Sequence, residues 1–410
     1  MSPTLTNPPP LALYVHLPWC VRKCPYCDFN SHEPRGPAPF ADYVDALLRD
    51  LEAQLPDVWG RRLESVFIGG GTPSLFPPEA LHELLSGLRA RLPLRPDTEI
   101  TLEANPGTAD RAYFRGYREA GVNRLSLGIQ SFDDTMLRRL GRIHGAAEAH
   151  SAVGHAHAAG FDDINLDLMF GLPEQSLDAG LADLRAAVEQ GPAHISWYQL
   201  TLEPNTLFAV RPPSLPDDTL IEELFAQGQL LLAQAGYTRY EVSAHARAGR
   251  ECRHNRNYWT FGDYLGIGAG AHGKLTQAHS GRILRRVKPR QPEDYLARPQ
   301  AHRDQPVAAE ELPFEFLLNA LRLVEGVATA SFEARCGLPR TALEPALSEL
   351  RAQGLLVADP ERLQATPQGL AFLNDVLERF LPEGVSQDTT ATPMSRAERE
   401  ASPASPEEGR

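Results

Sequence analysis

Three cysteines fall within eight residues, in the run Cys20-Val-Arg-Lys-Cys24-Pro-Tyr-Cys27. The spacing is C-x3-C-x2-C. Thiolates hold iron–sulfur clusters, and three of them on a four-iron cluster leave one iron open to an outside ligand. Structural zinc takes four ligands, commonly from C-x2-C pairs. Cys252 and Cys336 stand alone, so no second pair completes a zinc site. A zinc site and three unconnected thiols are the plainer alternatives. The reading adopted is a 4Fe-4S cluster on Cys20, Cys24 and Cys27. His16, just upstream, reads as a strand-end side chain with a structural role.

Such a loop must be held by regular elements on either side. Apolar runs at Leu11–Leu17, Ser65–Ile68, Glu99–Glu103, Arg124–Ile129, Ile164–Met169 and His194–Leu200 read as strands. Helical spacing runs between them. It is carried by Phe40, Val44, Leu47, Leu48, Leu51 and Leu55, then by Leu81, Leu84, Leu85, Leu88 and Leu92. Further helices fit 109–120, 146–159, 176–190 and 217–235. Six strand-then-helix units predict an α/β fold with a parallel sheet and helices outside. Eight would close a standard barrel. Six point to an incomplete (β/α)6 TIM-like barrel, with an open doubly wound sheet as the alternative. Both place function at the C-terminal ends of the strands, and the cysteine run follows the first strand directly.

The expected organisation is a disordered N-terminus over 1–10, a partial barrel over 11–235 and an extension over 236–300. A small winged-helix-like α+β domain is expected over 301–383, with helices at 312–321, 328–336 and 340–353 and a hairpin of Leu355–Val357 with Leu363–Ala365. A disordered tail over 384–410 completes the chain. A winged helix raises the question of DNA. Residues 301–383 hold seven Arg, no Lys and thirteen acidic residues, which excludes the basic face that nucleic acid needs. The whole chain carries a net charge of -13, which also disfavours non-specific binding to anionic surfaces. The 410 residues contain no apolar run long enough to span a membrane, and Met1–Pro10 lacks a signal-peptide pattern. A cytoplasmic protein is expected, in which five cysteines mean metal rather than disulfides.

After the second strand comes Gly69-Gly70-Gly71-Thr72-Pro73. Glycines let backbone approach a ligand closely. The run alone is weak; joined to the three-cysteine loop it is specific. The segment from Tyr14 to Phe29, with this run, resembles the radical S-adenosylmethionine (SAM) family that contains oxygen-independent coproporphyrinogen III oxidases and the HemW branch of haem chaperones. The resemblance extends from Leu11 to about Leu381. It implies a radical SAM barrel whose open iron takes the amino and carboxylate groups of SAM, where an electron breaks the sulfonium C–S bond. It also implies the site. Tyr14 lies on the first strand, and Tyr26 would contact the adenine. Gly70, Gly71 and Thr72 would meet the methionyl ammonium. Glu103, Gln130 and Asp167 suit the ammonium and the ribose hydroxyls. Arg142 is the candidate for the methionyl carboxylate, because guanidinium binds carboxylates bidentately. Asp167 is singled out by the residues alone as well, since a carboxylate on a buried parallel strand is costly unless paired or liganded.

Three features choose between the branches. The oxidases carry a further cysteine two positions after the third, where this chain has Phe29. They also carry a longer N-terminal segment than the nineteen residues before Cys20. Finally, His254-Asn255-Arg256-Asn257-Tyr258-Trp259 matches an HNxxYW motif associated with haem in the chaperone branch. Imidazole is a common axial ligand of haem iron, and Asn255 could orient it. The plain alternative is that His254, Tyr258 and Trp259 are core residues; His245, Cys252 and His272 are other candidates. The expectation is a haem chaperone with a 4Fe-4S cluster, SAM and haem as cofactors. Its partners would be haem-accepting respiratory proteins such as cytochromes, with peripheral contact to membrane proteins and a haem-sharing homodimer also in view. Oxygen-independent coproporphyrinogen III oxidase, or another radical SAM enzyme of porphyrin metabolism, is the alternative. No residue is assigned a catalytic role.

Overall fold

The computed structural model describes residues 4, 5, 7–108 and 110–382. The chain runs β1 (Leu11–Leu17), α1 (Phe40–Gln54), β2 (Leu63–Gly70), α2 (Pro78–Arg91), β3 (Leu94–Ala104), α3 (Arg111–Ala120), β4 (Arg124–Gln130), α4 (Asp134–Arg139), α5 (Ala146–Ala158), β5 (Ile164–Phe170), α6 (Leu177–Glu189) and β6 (His194–Gln199). Strands and helices lie where the sequence pattern placed them, with β2 and β3 extended at both ends. Side chains at the helix starts accept the exposed N–H groups there: Asp110 from Tyr113, and Ser176 from Ala179.

The next segment follows as α7 (Leu207–Val210), α8 (Asp218–Gln234), β7 (Thr238–Glu241), β8 (Ala244–Ala246), α9 (Arg253–Trp259), β9 (Asp263–Ile267), β10 (His272–Gln277), β11 (Arg282–Val287), α10 (Pro292–Ala297) and β12 (Arg303–Pro306). Periodicity left 240–300 without an assignment. In the fold these residues complete a twelve-stranded sheet of order β12-β11-β10-β9-β1-β2-β3-β4-β5-β6-β8-β7. β9 pairs parallel with β1, and β8 pairs antiparallel with β6. The six-stranded parallel core is therefore flanked on both sides, and its two ends do not meet. This is the incomplete barrel, enlarged at its edges.

The two faces of the core strands differ sharply. Leu11, Leu13, Val15, Val66, Ile68, Leu102, Leu125, Leu127, Leu166 and Ile195 point outward into one apolar cluster with α1, α2, α3, α5, α6 and α8. The alternate residues point to the concave side and are mostly polar: Tyr14, His16, Ser65, Glu99, Thr101, Glu103, Arg124, Ser126, Asn165, Asp167, His194 and Ser196. Strand side chains alternate with period two, so a polar residue at every second position of a buried parallel strand marks a hydrated or liganded interior.

The extension is anchored by buried charge pairs. Lys288 pairs with Asp50 of α1, and Lys274 and Arg61 converge on Asp263 at 3.1 and 2.9 Å. Breaking one such buried pair typically costs about 3–5 kcal/mol.

The C-terminal part comprises α11 (Leu312–Ala320), β13 (Val327–Ala328), α12 (Thr329–Cys336), α13 (Ala346–Ala352) and β14 (Arg362–Leu363), followed by two short helices. The expected third helix, 340–353, is divided: a single turn of 3-10 helix covers Arg340–Leu343, and Pro345, which has no N–H to give, precedes α13. The expected hairpin reduces to one bridge, Leu356 to Ala365, and β14 forms its ladder with β13 instead. The N-terminal run, expected to be disordered over 1–10, is held where it is described. Leu5 is buried in the C-terminal apolar cluster, and the Thr4 N–H donates to Gly337 O at 2.8 Å. The tail expected over 384–410 lies outside the described residues. No described helix is long and apolar enough to cross a membrane.

Candidate functional site

The loops at the C-terminal ends of the strands converge on the cysteine run. Two backbone bonds tie the glycine run to its entrance: Gly71 N–H to Leu17 O and Thr72 N–H to Trp19 O, both 2.8 Å. A Cβ on Gly71 would lie 2.6 Å from Trp19 O, and Gly70 has φ +121 with Leu17 O 2.8 Å from a Cβ position. The glycines are thus required first by the close approach of two backbones. Any ligand contact by Gly70 and Gly71 is additional to that demand.

Each thiol has a polar neighbour. Thr72 Oγ1 donates to Cys20 Sγ at 3.4 Å. Arg142 Nη1 approaches Cys24 Sγ at 3.7 Å. Ser31 Oγ lies 3.9 Å from Cys27 Sγ. Burial pushes the Cys27 thiol up to about 11 and raises that of Cys20. Without a metal Cys20 and Cys27 stay protonated near neutral pH; metal ligation deprotonates such groups outright.

Arg142 does not sit on a helix as an exposed charge. It lies in the loop after α4, where Nη2 donates to Gly128 O at 2.8 Å and Nη1 also reaches the Tyr26 hydroxyl at 3.4 Å. Its Nε is buried with no hydrogen-bond partner among the described residues. Tyr26 packs on Phe208 of α7, ring centroids 6.3 Å apart.

The concave wall continues below. Glu103 Oε2 accepts the Gly70 N–H at 3.1 Å. Gln130 ends β4 with φ +68, a left-handed conformation rare outside glycine, and accepts the Tyr198 hydroxyl at 2.9 Å. Asp167 takes Ser126 Oγ and Asn165 Nδ2 at 2.9 and 2.8 Å. Burial raises its carboxyl above the usual range, and those two donors pull it part-way back. Tyr14 donates toward His16 Nδ1 at 2.9 Å, and His16 Nε2 bonds Asn30 O at 2.8 Å. Asn30 in turn donates to Ala269 O and Arg290 O. His16 and Asn30 therefore clasp the cysteine loop to the barrel. Asn30 had no sequence signal; the polar alternation of Arg-Leu-Ser-Leu and Asn-Leu-Asp could have flagged Ser126 and Asn165.

His254 lies apart from this mouth. α9 closes the opposite end of the barrel, and Glu99 caps it by accepting the Arg253 and His254 N–H groups, both at 3.0 Å. The imidazole is 1% exposed. Its Nδ1 meets Ser65 Oγ at 3.0 Å, its Nε2 meets the Tyr258 hydroxyl at 3.2 Å, and its ring stacks on Phe67 at 5.0 Å. Both ring nitrogens of the expected haem contact are thus engaged by side chains in this structure. Tyr258 and Trp259 join the C-terminal apolar cluster. Cys252 and His245 are likewise 1% exposed.

The Radical SAM superfamily model matches residues 14–185, and the HemN C-terminal domain model matches 307–372. The chain is 52% identical to the heme chaperone HemW of Escherichia coli K12 over 375 residues, covering 92% of this chain and 99% of that protein. The chain belongs to the HemW family. The Haemophilus influenzae HemW is 51% identical over 379 residues, with the same two shares covered. The E. coli coproporphyrinogen III oxidase structure shares the fold, with a TM-score of 0.76, 22% identity, and 91% and 90% of the two chains covered.

The residues present suit what a radical SAM member holds. No three His, Cys, Asp or Glu side chains among the described residues converge on a single ion. Thiolates on a four-iron cluster bind separate irons, so the spread of Cys20, Cys24 and Cys27 is compatible with a cluster. The polar neighbours at each sulfur are of the kind that tune cluster potentials. The orphaned Arg142 Nε beside Cys24 is a donor awaiting an acceptor.

Proposed function

We propose that this protein is a haem chaperone that carries a 4Fe-4S cluster and SAM and hands haem to haem proteins. The observation that carries the reading is the 52% identity to a heme chaperone along 99% of that protein's length. In this reading Cys20, Cys24 and Cys27 hold the cluster. The Arg142 fork meets the methionyl carboxylate, while Glu103, Gln130, Asp167 and Thr72 face its ammonium and the ribose hydroxyls. Tyr26 lies against the adenine, and Tyr14 acts through His16 on the cysteine loop. The acceptors would be respiratory haem proteins such as cytochromes, reached from the cytoplasmic side.

A second reading, a radical SAM enzyme acting on a porphyrin, is favoured by the polar concave wall, which a pure carrier does not need. One experiment separates the two. The cluster is reconstituted without oxygen and supplied with SAM, a reductant and coproporphyrinogen III; in parallel the haem-loaded protein is mixed with an apo-cytochrome. The expected outcome is haem transfer and no decarboxylated porphyrin. Porphyrin product at many turnovers per cluster would establish the enzyme instead.

A further inference from the structure

Asp167 of β5 does not stand alone on the concave wall. Its Oδ1 accepts Asn165 Nδ2 and its Oδ2 accepts Ser126 Oγ, and behind Asn165 the hydrogen bonds continue. Asn165 Oδ1 lies 2.6 Å from Nδ1 of His194, on β6. His194 Nε2 lies 3.0 Å from the hydroxyl of Tyr240, on β7. That hydroxyl accepts the N–H of Cys252, the residue before α9, at 3.3 Å. Asn165, His194, Tyr240 and Cys252 are all buried, whereas Asp167 is only half-buried.

One backbone group sets the direction of these bonds. The Ser196 N–H donates to Asn165 Oδ1 at 3.0 Å, and the Ser196 hydroxyl donates to it at 3.1 Å. A backbone N–H can only donate, so the Asn165 amide turns its oxygen to β6 and its NH2 group to Asp167. His194 Nδ1 meets the same oxygen and must therefore carry a proton. Burial first, and then the nearby Arg124 charge, hold the imidazole well below its usual pKa, so the ring is neutral and Nε2 is bare. Nε2 then accepts the Tyr240 proton. Asn165 Nδ2 also donates to Ser126 Oγ at 2.8 Å, which turns the Ser126 proton onto Asp167. A buried pair that only satisfied its own polar groups could end at Asn165. This chain ends on a carboxylate of the candidate site and brings one donor to each of its oxygens.

We infer that His194 is a positioning residue of the SAM site: in its Nδ1–H form it locks the Asn165 amide, and through it fixes the orientation of the Asp167 carboxylate toward SAM. The inference rests on the reading that places Asp167 at SAM. His194 itself touches no ligand; it acts through Asn165.

The test uses the full, cluster-reconstituted protein and two variants that separate positioning from filling space. Asparagine puts an amide N–H where Nδ1 stands. Glutamine puts its amide near Nε2, fills more of the site and can still meet Tyr240. SAM affinity is read from the change SAM makes in the electron paramagnetic resonance spectrum of the reduced cluster, and stability from urea midpoints. His194→Gln should bind SAM about tenfold more weakly, and His194→Asn within about threefold of wild type, although the glutamine variant should be the more stable of the two. SAM affinity that follows stability, with glutamine above asparagine, overturns the assignment. So do equal losses, or no loss, in both variants. Wild-type protein carrying isotope-labelled histidine gives a reading that needs no variant to fold: the nitrogen resonances of the His194 ring should show a proton on Nδ1 and none on Nε2. A ring protonated on Nε2 alone overturns the inference. Asp167→Asn separates the two possible failures. If it too leaves SAM affinity unchanged, the placing of Asp167 at SAM is what fails. If it weakens SAM binding while His194→Gln does not, only the role of His194 fails.

Discussion

Arg142 is held by a sulfur, a hydroxyl and a carbonyl, from Cys24, Tyr26 and Gly128. These contacts fix the plane of the guanidinium and leave its Nε–H without a partner among the described residues. Lysine would keep the charge and lose the planar fork. Arg142→Lys is therefore expected to assemble its cluster normally and to bind SAM about tenfold more weakly, measured through the change SAM makes in the electron paramagnetic resonance spectrum of the reduced cluster. SAM affinity equal to wild type would remove Arg142 from the carboxylate site. The residue was legible in the sequence only through family resemblance. Its spacing from the cysteines, more than a hundred positions, is bridged by the fold alone.

The floor helix α9 shows how an element can be placed by a single side chain. A seven-residue helix is too short to be stable by itself. Its first N–H groups are taken by Glu99, which also accepts from Cys252 Sγ at 3.7 Å. Glu99→Ala leaves these buried donors without a partner and is expected to cost about 2–4 kcal/mol, read from urea unfolding midpoints. Glu99→Gln keeps an acceptor and should cost roughly half as much. A loss below about 0.5 kcal/mol in the alanine variant would mean that apolar packing alone seats the helix. The HNxxYW motif was legible as a motif. Its place in the floor was not, because Glu99 lies about 150 residues away on β3.

Across the whole molecule, burial strips protons from histidines. His16, His144 and His272 are each lowered to about 4, and His245 to about 3, in every case chiefly by desolvation. Such a group binds its proton in the unfolded chain near 6.5 but in the folded one only near 4. Its contribution to stability is full above pH 6.5 and is lost as pH falls toward 4. Buried carboxyls act in the opposite sense: Asp183 is raised to about 6 by burial, so its contribution is full at low pH and is lost as pH rises through 6. A difference measurement isolates one group. His144 Nε2–H donates to Ile129 O at 3.1 Å, and its Nδ1 faces the Asn105 side-chain amide, beside Arg142. The advantage of wild type over His144→Gln should be greatest above pH 6.5 and shrink by up to about 3 kcal/mol by pH 4. A difference that does not change with pH would show that His144 titrates normally in the folded protein.

The sequence by itself determined the strand–helix order, the three-cysteine loop and the polar face of each core strand. These are local facts: cysteine spacing, period-two alternation and helical spacing are all written within a few residues. Tertiary structure decided what those residues do together. It brought Arg142 to Cys24, set Glu99 under α9 and closed His254 into the opposite end of the barrel. It also turned residues 240–300 into the flanks of the sheet. Those outcomes depend on pairings between positions far apart in the chain, and no local pattern encodes which distant partner a buried charge will meet.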